Sequence, residues 1–454
     1  MPRIHPQPDS ARRLAACLSD DEKKMIRHAL SCPTCSDTLL GLLENRKDTH
    51  ALARVLAWPG REAATDYATA IDEVIVRCHS RLSAIAQEQA EAPALAAELL
   101  RHPPSRREVL ISNGDRFVSL AVVDQLLRAS RELGHGDPQS GEAVAVTALA
   151  LTDRLSQESV VAPSLLADTR ARCHLAIGNA RRIATDLRGS DEAIATAEDL
   201  LRDGTHDRLE RARLYQYKAS LRCSQRRFTE AASLLDRAIA IYRQSEERHQ
   251  AGEAIVARAF VEREMGFPER AIQLLREAGR LIDPKVDPRL TLCLHHNLID
   301  LLTDVGRAIE AQGLMSRSGE IYSQFTDTPT RLRRLWVQGK IARGLGQLED
   351  AARLFDQVRV GFGEAGIGYD AALAALDLAG VSAQLGRTAE VRRLAEEMLP
   401  IFRSRDVHRE AIAALIVFQR AAADEQASLS FVEELSSYLR HSAQRPSLPL
   451  EPSR

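Results

Sequence analysis

No apolar stretch in this chain of 454 residues approaches the length of a membrane span, so no spanning helix is predicted. The start, MPRIHPQPDS, lacks the hydrophobic core of a signal peptide. Neither sign of charge is in excess. A net charge of −2 argues against a general nucleic-acid or membrane-binding surface. Runs of β-branched residues are scarce, whereas Ala, Leu, Arg and Glu dominate, which favours helix. Aromatics make up 4% of the chain and hydrophobic residues 44%, at a length sufficient for several domains or one extended repeat array. Seven cysteines, an odd number spread thinly, do not suit a disulfide framework and predict a reducing, cytoplasmic setting.

Catalytic signatures are also missing. The chain has no Walker lysine motif, no nucleophile elbow and no H-E-x-x-H, and its Asp, Glu and His residues are scattered over polar helix faces, where solvation is the default. Gly361-Phe-Gly363-Glu-Ala-Gly366 spells G-x-G-x-x-G, but a dinucleotide site needs a strand before it and a helix after it. Here a helix precedes it, and the stretch is read as a loop between hairpins. The sequence therefore predicts a protein that is not an enzyme.

What is present is a repeat. A turn residue recurs every 40 positions at Gly266, Gly306, Gly346 and Gly386, with Arg226 one unit earlier. Five residues on lies a small or apolar residue (Ala231, Ala271, Ala311, Ala351, Val391), and four further a larger one at Leu235, Leu275, Met315 and Phe355, with Ala395 in the last unit. Ala238 and Ala278 continue the pattern. Before the turn, Ala219, Ala259, Gly339 and Ala379 are again small. The physical reading is a helical hairpin: small residues let two antiparallel helices approach, glycine allows the sharp turn, and the large residue fills the gap to the next hairpin.

Arg226–Tyr242 (RRFTEAASLLDRAIAIY) and Gly266–Ala278 (GFPERAIQLLREA) carry the pattern best, and it resembles the tetratricopeptide repeat. The period exceeds the usual length of about 34 residues, which implies longer helices like those of bacterial signal-transduction regulators and kinesin light chains. HEAT-type repeats share the period and stay an alternative. The resemblance implies an all-α fold, a right-handed superhelical solenoid of about seven hairpins over residues 105–442, with the regular period starting near 205. Arg116–Leu133 with Pro138–Leu155, and Leu165–Arg188 with Ser190–Leu201, are predicted hairpins upstream, Ser190 serving as an N-cap. Arg409–Ala423 and Ser428–Arg440, with Phe431 and Leu435 in register, form a last pair before a tail, 443–454, read as disordered.

The N-terminal stretch has a different chemistry. His28-x3-Cys32-x2-Cys35 presents three soft ligands within eight residues, as tetrahedral Zn²⁺ requires. The fourth is assigned to His5, with Cys17 as runner-up. Ser19 and Glu22 form a capping box for the helix that delivers His28, and Pro33 turns the chain at the metal. Four protein ligands leave no open position, so the ion is structural. Residues His5, Leu18–Glu22 and His28–Cys35 resemble the zinc-associated anti-sigma domain over about 1–90, which implies a zinc-stabilised helical head that engages a sigma factor or similar regulator. A helix at about 63–90, with Ile71, Val74, Ile75, Cys78, Leu82 and Ile85 on one stripe, either completes this head or opens the solenoid.

In tetratricopeptide arrays the first helix of each hairpin lines the concave surface, and the resemblance places Gln216, Arg263, His296, Asp300, Arg333, Trp336, Lys340 and Arg343 there. Trp336 with three basic neighbours at helical spacing suits a partner peptide carrying an acidic group. The competing structural reading packs Trp336 between hairpins and solvates the arginines. The function expected is a regulatory adaptor binding a protein or peptide, with no membrane and no nucleic acid among its partners. The alternatives are a scaffold whose zinc module only caps the array, or a thiol redox sensor.

Overall fold

Left-handed backbone turns set the rhythm of this chain. Gly266, Gly306, Gly346 and Gly386 have φ between 70° and 86°, and Arg226 adopts the same conformation at 66°. Each turn closes its helix by returning the next amide to a carbonyl five residues back: Arg227 to Arg222 at 2.8 Å, Phe267 to Glu262 at 2.9 Å, Arg307 to Leu302 at 2.8 Å, Gln347 to Ala342 at 2.9 Å and Arg387 to Ser382 at 2.8 Å. That bond, with a left-handed residue before it, satisfies a carbonyl the helix would otherwise orphan.

The structure, a computed structural model, describes residues 83–134, 136–157, 161–403 and Val432. His5, Cys17, His28, Cys32 and Cys35 lie outside the described residues, as do the capping box, Pro33, most of the 63–90 stripe, the 409–440 pair apart from Val432, and the tail. Among the described residues there are only helices: α1 (83–100), α2 (Pro104–Ser112), α3 (Leu120–Gly134), α4 (Pro138–Gln157), α5 (Pro163–Ile183), α6 (Leu187–Leu200), α7 (Arg208–Ser224), α8 (Phe228–Gln244), α9 (Arg248–Glu264), α10 (Pro268–Ala278), α11 (Pro288–Asp304), α12 (Ala308–Arg317), α13 (Gly319–Ser323), α14 (Thr328–Gly344), α15 (Leu348–Glu364), α16 (Gly368–Gln384) and α17 (Thr388–Arg403). The fold is all-α, of the tetratricopeptide-like hairpin class. It comprises two compact units that meet in sequence between Tyr217 and Lys218, within α7.

In the first unit, α3 pairs with α4 and α5 with α6. Ala92, Ala96 and Leu99 of α1 enter the same core as Ile111, Phe117, Leu126 and Leu151. The helix expected to end near Ala90 runs on to residue 100, and it is Ala92, Ala96 and Leu99, beyond the expected end, that reach this core. Ser190 is not the cap foreseen. It is fully buried within α6, and Asp186 caps the helix, its carboxylate accepting from Gly189 N at 2.8 Å. The left-handed Thr185 turns the chain earlier and hands the cap to the next residue.

In the second unit the pairs are α9 with α10, α11 with α12 and α13, α14 with α15, and α16 with α17. From α8 to α17, leaving aside the short α13, helices begin every 20 residues, at Phe228, Arg248, Pro268, Pro288, Ala308, Thr328, Leu348, Gly368 and Thr388. The 40-residue sequence period is thus two helical steps, and left-handed residues also occur at some intermediate junctions, at Glu246 and Gly366. Asp287 and Asp327 cap α11 and α14, accepting from Leu290 N at 2.8 Å and Thr330 N at 3.0 Å. The repeat's small and large residues are buried as a set: Ala231, Ala271, Ala311 and Ala351 at 0% exposure, Leu235 and Leu275 at 1%. At Gly339 the small residue is obligatory. A β-carbon there would lie 2.6 Å from the Phe355 ring, which fills the space between α14 and α15.

Gly361 and Gly363 belong to the last turn of α15, and Gly366 makes the left-handed turn after it, so the expected loop is mostly helix. A side chain at Gly361 would run into Leu332 at 2.5 Å, which accounts for the first glycine by packing.

Candidate functional site

The first helices of successive hairpins in the second unit are α9, α11, α14 and α16, and charged side chains cross from each to the next. Arg263 of α9 donates to Asp300 Oδ2 of α11 at 2.9 Å and to Asp304 Oδ2 at 3.1 Å. Lys340 of α14 reaches back to the same two carboxylates, to Asp300 and to Asp304 Oδ1, the latter at 3.3 Å. Trp336 Nε1 donates to Asp377 Oδ2 of α16 at 2.7 Å. Arg343 lies 3.7 Å from Asp377, and Arg333 lies 3.7 Å from Asp370.

Helical spacing explains the alignment. Arg333, Trp336, Lys340 and Arg343 step by three or four residues and share one face of α14. Asp370 and Asp377 stand two turns apart on α16, as do His296 and Asp304, flanking Asp300, to within a residue on α11. The four cations Arg263, Arg333, Lys340 and Arg343 therefore meet the four carboxylates Asp300, Asp304, Asp370 and Asp377.

Electrostatics follow from burial and pairing. Burial alone pushes the Asp300 carboxyl up, but the Lys340 ammonium and the Arg263 guanidinium outweigh it and hold the group well below the usual carboxylate range. Burial lowers the basicity of Arg263, and Asp300 and Asp304 reverse that to a net rise. Burial lowers the basicity of His296, against the pull of Asp300, and its Nδ1 contacts Tyr322 Oη at 3.1 Å. Burial raises the Asp370 carboxyl, with Arg333 acting in opposition. Trp336 is half-buried and meets the Phe362 ring edge-to-face, with centroids 5.8 Å apart.

Seven of the eight residues expected on the binding face, all but Gln216, thus lie on the first helices of this unit. Gln216 is half-buried on α7 in the other unit. Sequence reasoning missed Asp304, Asp370 and Asp377. The signal that finds such partners is the period itself: Arg263–Asp304 is separated by 41 residues, Lys340–Asp304 by 36 and Trp336–Asp377 by 41, so partners recur about one repeat away.

The comparisons place this arrangement in a known class of fold. The family model of soluble NSF attachment protein, SNAP, matches residues 210–385. The crystal structure of a Rap protein complexed with Competence and Sporulation Factor is similar at a TM-score of 0.50 and 14% identity, covering 71% of this chain and 91% of that one. The apo form of RapI is similar at a TM-score of 0.50 and 13% identity, covering 80% and 98%. No curated protein matches the sequence. These likenesses concern the fold.

Two other groupings bear on chemistry. Ser318 Oγ lies 2.9 Å from His295 Nδ1, a pairing that superficially resembles a nucleophile and base. Ser318 is fully buried and donates its proton to the Leu314 carbonyl at 2.8 Å, so it pins the break between α12 and α13 and presents no nucleophile. Among the described residues no group of three or more His, Cys, Asp or Glu is arranged to hold a metal ion, and no helix is long and apolar enough to cross a membrane.

Proposed function

We propose that this chain is a non-enzymatic cytoplasmic adaptor whose second unit binds a protein or peptide partner across the first helices of its hairpins. The observation that supports the reading is that Arg263, His296, Asp300, Arg333, Trp336, Lys340 and Arg343 lie on the first helices α9, α11 and α14, where groups from distant sequence positions pair from one helix to the next. A hairpin stack supplies a broad face without reactive groups, which suits recognition. A solved protein of similar fold is complexed with Competence and Sporulation Factor, and this supports a ligand-carrying role. The motif His28-x3-Cys32-x2-Cys35, with His5, supports a Zn²⁺-stabilised head that contacts a sigma factor or other transcription regulator.

Affinity capture from native lysate, with the full chain and a Trp336→Ala, Arg263→Gln double variant as baits, tests the surface. A partner retained by the wild type and lost from the variant supports it; equal capture by both overturns it. Elemental analysis of the purified chain tests the head. About one zinc per chain is expected, falling away in Cys32→Ser and Cys35→Ser, and metal-free wild type removes that part of the reading.

A further inference from the structure

On most rungs of the ladder the cation is the more exposed partner. Arg333 is 54% exposed over Asp370 at 23%, Arg343 is 28% over Asp377 at 1%, and Arg263 is 30% over Asp300 at 15%. Lys340 is the exception, buried at 6% and committed to Asp300 and Asp304. Arg333 and Arg343 differ from Arg263 in a second way. Their nearest carboxylate oxygens stand at 3.7 Å, beyond hydrogen-bonding distance, whereas Arg263 bonds directly at 2.9 Å. Two guanidinium forks are therefore held over less exposed carboxylates, the half-buried Asp370 and the buried Asp377, with donors left for a ligand, and Trp336 between them fixes Asp377 in place through its indole N–H.

Resting on the assignment of this face as the partner surface, we propose that the seam between α14 and α16 receives an extended acidic segment through two carboxylates, one on Arg333 and one on Arg343. The two arginines are ten residues apart on one helix, about 15 Å at about 1.5 Å per residue. An extended chain covers that distance in about four residues at about 3.3 Å each, and positions i and i+4 of such a chain point the same way. The ligand class is thus a peptide with acidic side chains at i and i+4. Asp370 and Asp377 cancel the formal charge of the arginines, so long-range attraction is weak and recognition rests on the bidentate geometry of guanidinium with carboxylate.

The test uses the full chain and an acetylated, amidated pentapeptide, Glu-Ser-Thr-Ser-Glu, carrying a neutral fluorophore, with anisotropy as the readout. Binding at least about tenfold tighter than the Gln-Ser-Thr-Ser-Gln and Lys-Ser-Thr-Ser-Lys analogues is expected, about 1.4 kcal/mol or more. Arg333→Gln and Arg343→Lys should each remove most of that preference. Arg343→Lys keeps a positive charge over Asp377, and so the fold, but lacks the fork. Arg359→Gln on α15, whose contacts lie elsewhere, should leave binding unchanged. Equal binding of the acidic and amide peptides, tighter binding of the lysine peptide, or indifference to both arginine variants would overturn the proposal. A captured partner that is lost from the Trp336→Ala, Arg263→Gln bait but held equally by the wild type, Arg333→Gln and Arg343→Lys would refute the acidic ligand alone and leave the partner surface standing.

Discussion

Each unit draws an aspartate largely out of water, Asp168 in the first and the half-buried Asp300 in the second, and the two are handled in opposite ways. In the first unit Asp168 is 3% exposed. Its Oδ2 accepts from the Thr205 amide at 3.1 Å and from the Thr205 hydroxyl, while Oδ1 is buried with no partner, against Gly204. Burial raises its carboxyl, with the Thr205 hydrogen bonds pulling the other way. In the second unit Asp300 lies between two cations and is held low. The contrast teaches that burial by itself does not decide ionisation. Asp168 ties down a loop within one unit at some electrostatic cost, whereas Asp300 links three hairpins through opposite charges.

The largest expected effect comes from removing the Asp300 charge. Asp300→Asn leaves Arg263 and Lys340 short of a buried counter-charge and should cost about 3–5 kcal/mol in urea unfolding. Asp168→Asn keeps an acceptor for Thr205 and removes a costly charge, so its effect should stay within about 1 kcal/mol. Equal losses would end the comparison.

Packing of the second unit can be probed next to its charges. Gly339→Ala drives a methyl group into the Phe355 ring and should cost about 1–3 kcal/mol. Phe355→Leu in the same chain should recover part of that loss. A neutral Gly339→Ala would show that α14 and α15 can separate without penalty.

A pH series sharpens the contrast in sign. The Asp300 carboxyl is depressed in the fold, so its contribution is fully present above the ordinary carboxylate range and is lost as pH falls through its lower folded value. The gap between wild type and Asp300→Asn should therefore narrow in acid. Asp168 is raised, so its ionisation costs stability at neutral pH, and that cost disappears as pH falls through its folded value to the ordinary range. Any advantage of Asp168→Asn should be greatest near neutrality. Stability differences, taken as wild type minus variant, that shift with the same sign as pH falls would contradict these opposite environments.

The smallest effect concerns the turns. Glu246 is exposed and holds φ 59°, a conformation that costs a residue with a β-carbon about 1–2 kcal/mol. Glu246→Gly should raise stability by about 1 kcal/mol, and Gly266→Ala, at φ 86°, should lower it by a similar amount. Thermal midpoints that fail to move in opposite directions would remove backbone strain as the reason for glycine at these positions.

The hairpin repeat was legible because its determinants are local. A left-handed turn needs glycine, and close helices need alanine, wherever the hairpin lies. Gly266, Gly306, Gly346 and Gly386 turn as read, and Ala231, Ala271, Ala311 and Ala351 are buried as read. Glu246 shows the limit of that legibility, since a polar residue in a left-handed turn carries no signal of its own, and Arg226 was recognisable only because it holds the glycine's place in the 40-residue period. The binding-face residues were recognisable as a group on α14, but their occupation by Asp304, Asp370 and Asp377 was not, because those partners lie about one repeat away. Ser190 misled for a related reason: a capping residue is identified by where the preceding helix stops, and Asp186 stood in the better place.

By itself the amino-acid order determined that the chain is helical, where most of its hairpins turn and which small residues line their seams. Each of these depends on backbone conformation and volume at single positions. Tertiary structure alone decided which carboxylate each arginine faces, which guanidinium keeps donors for a ligand and why Asp168 and Asp300 ionise differently. Those properties belong to pairs and to burial, and a side chain's charge has no energetic meaning until packing fixes its neighbours and removes its water.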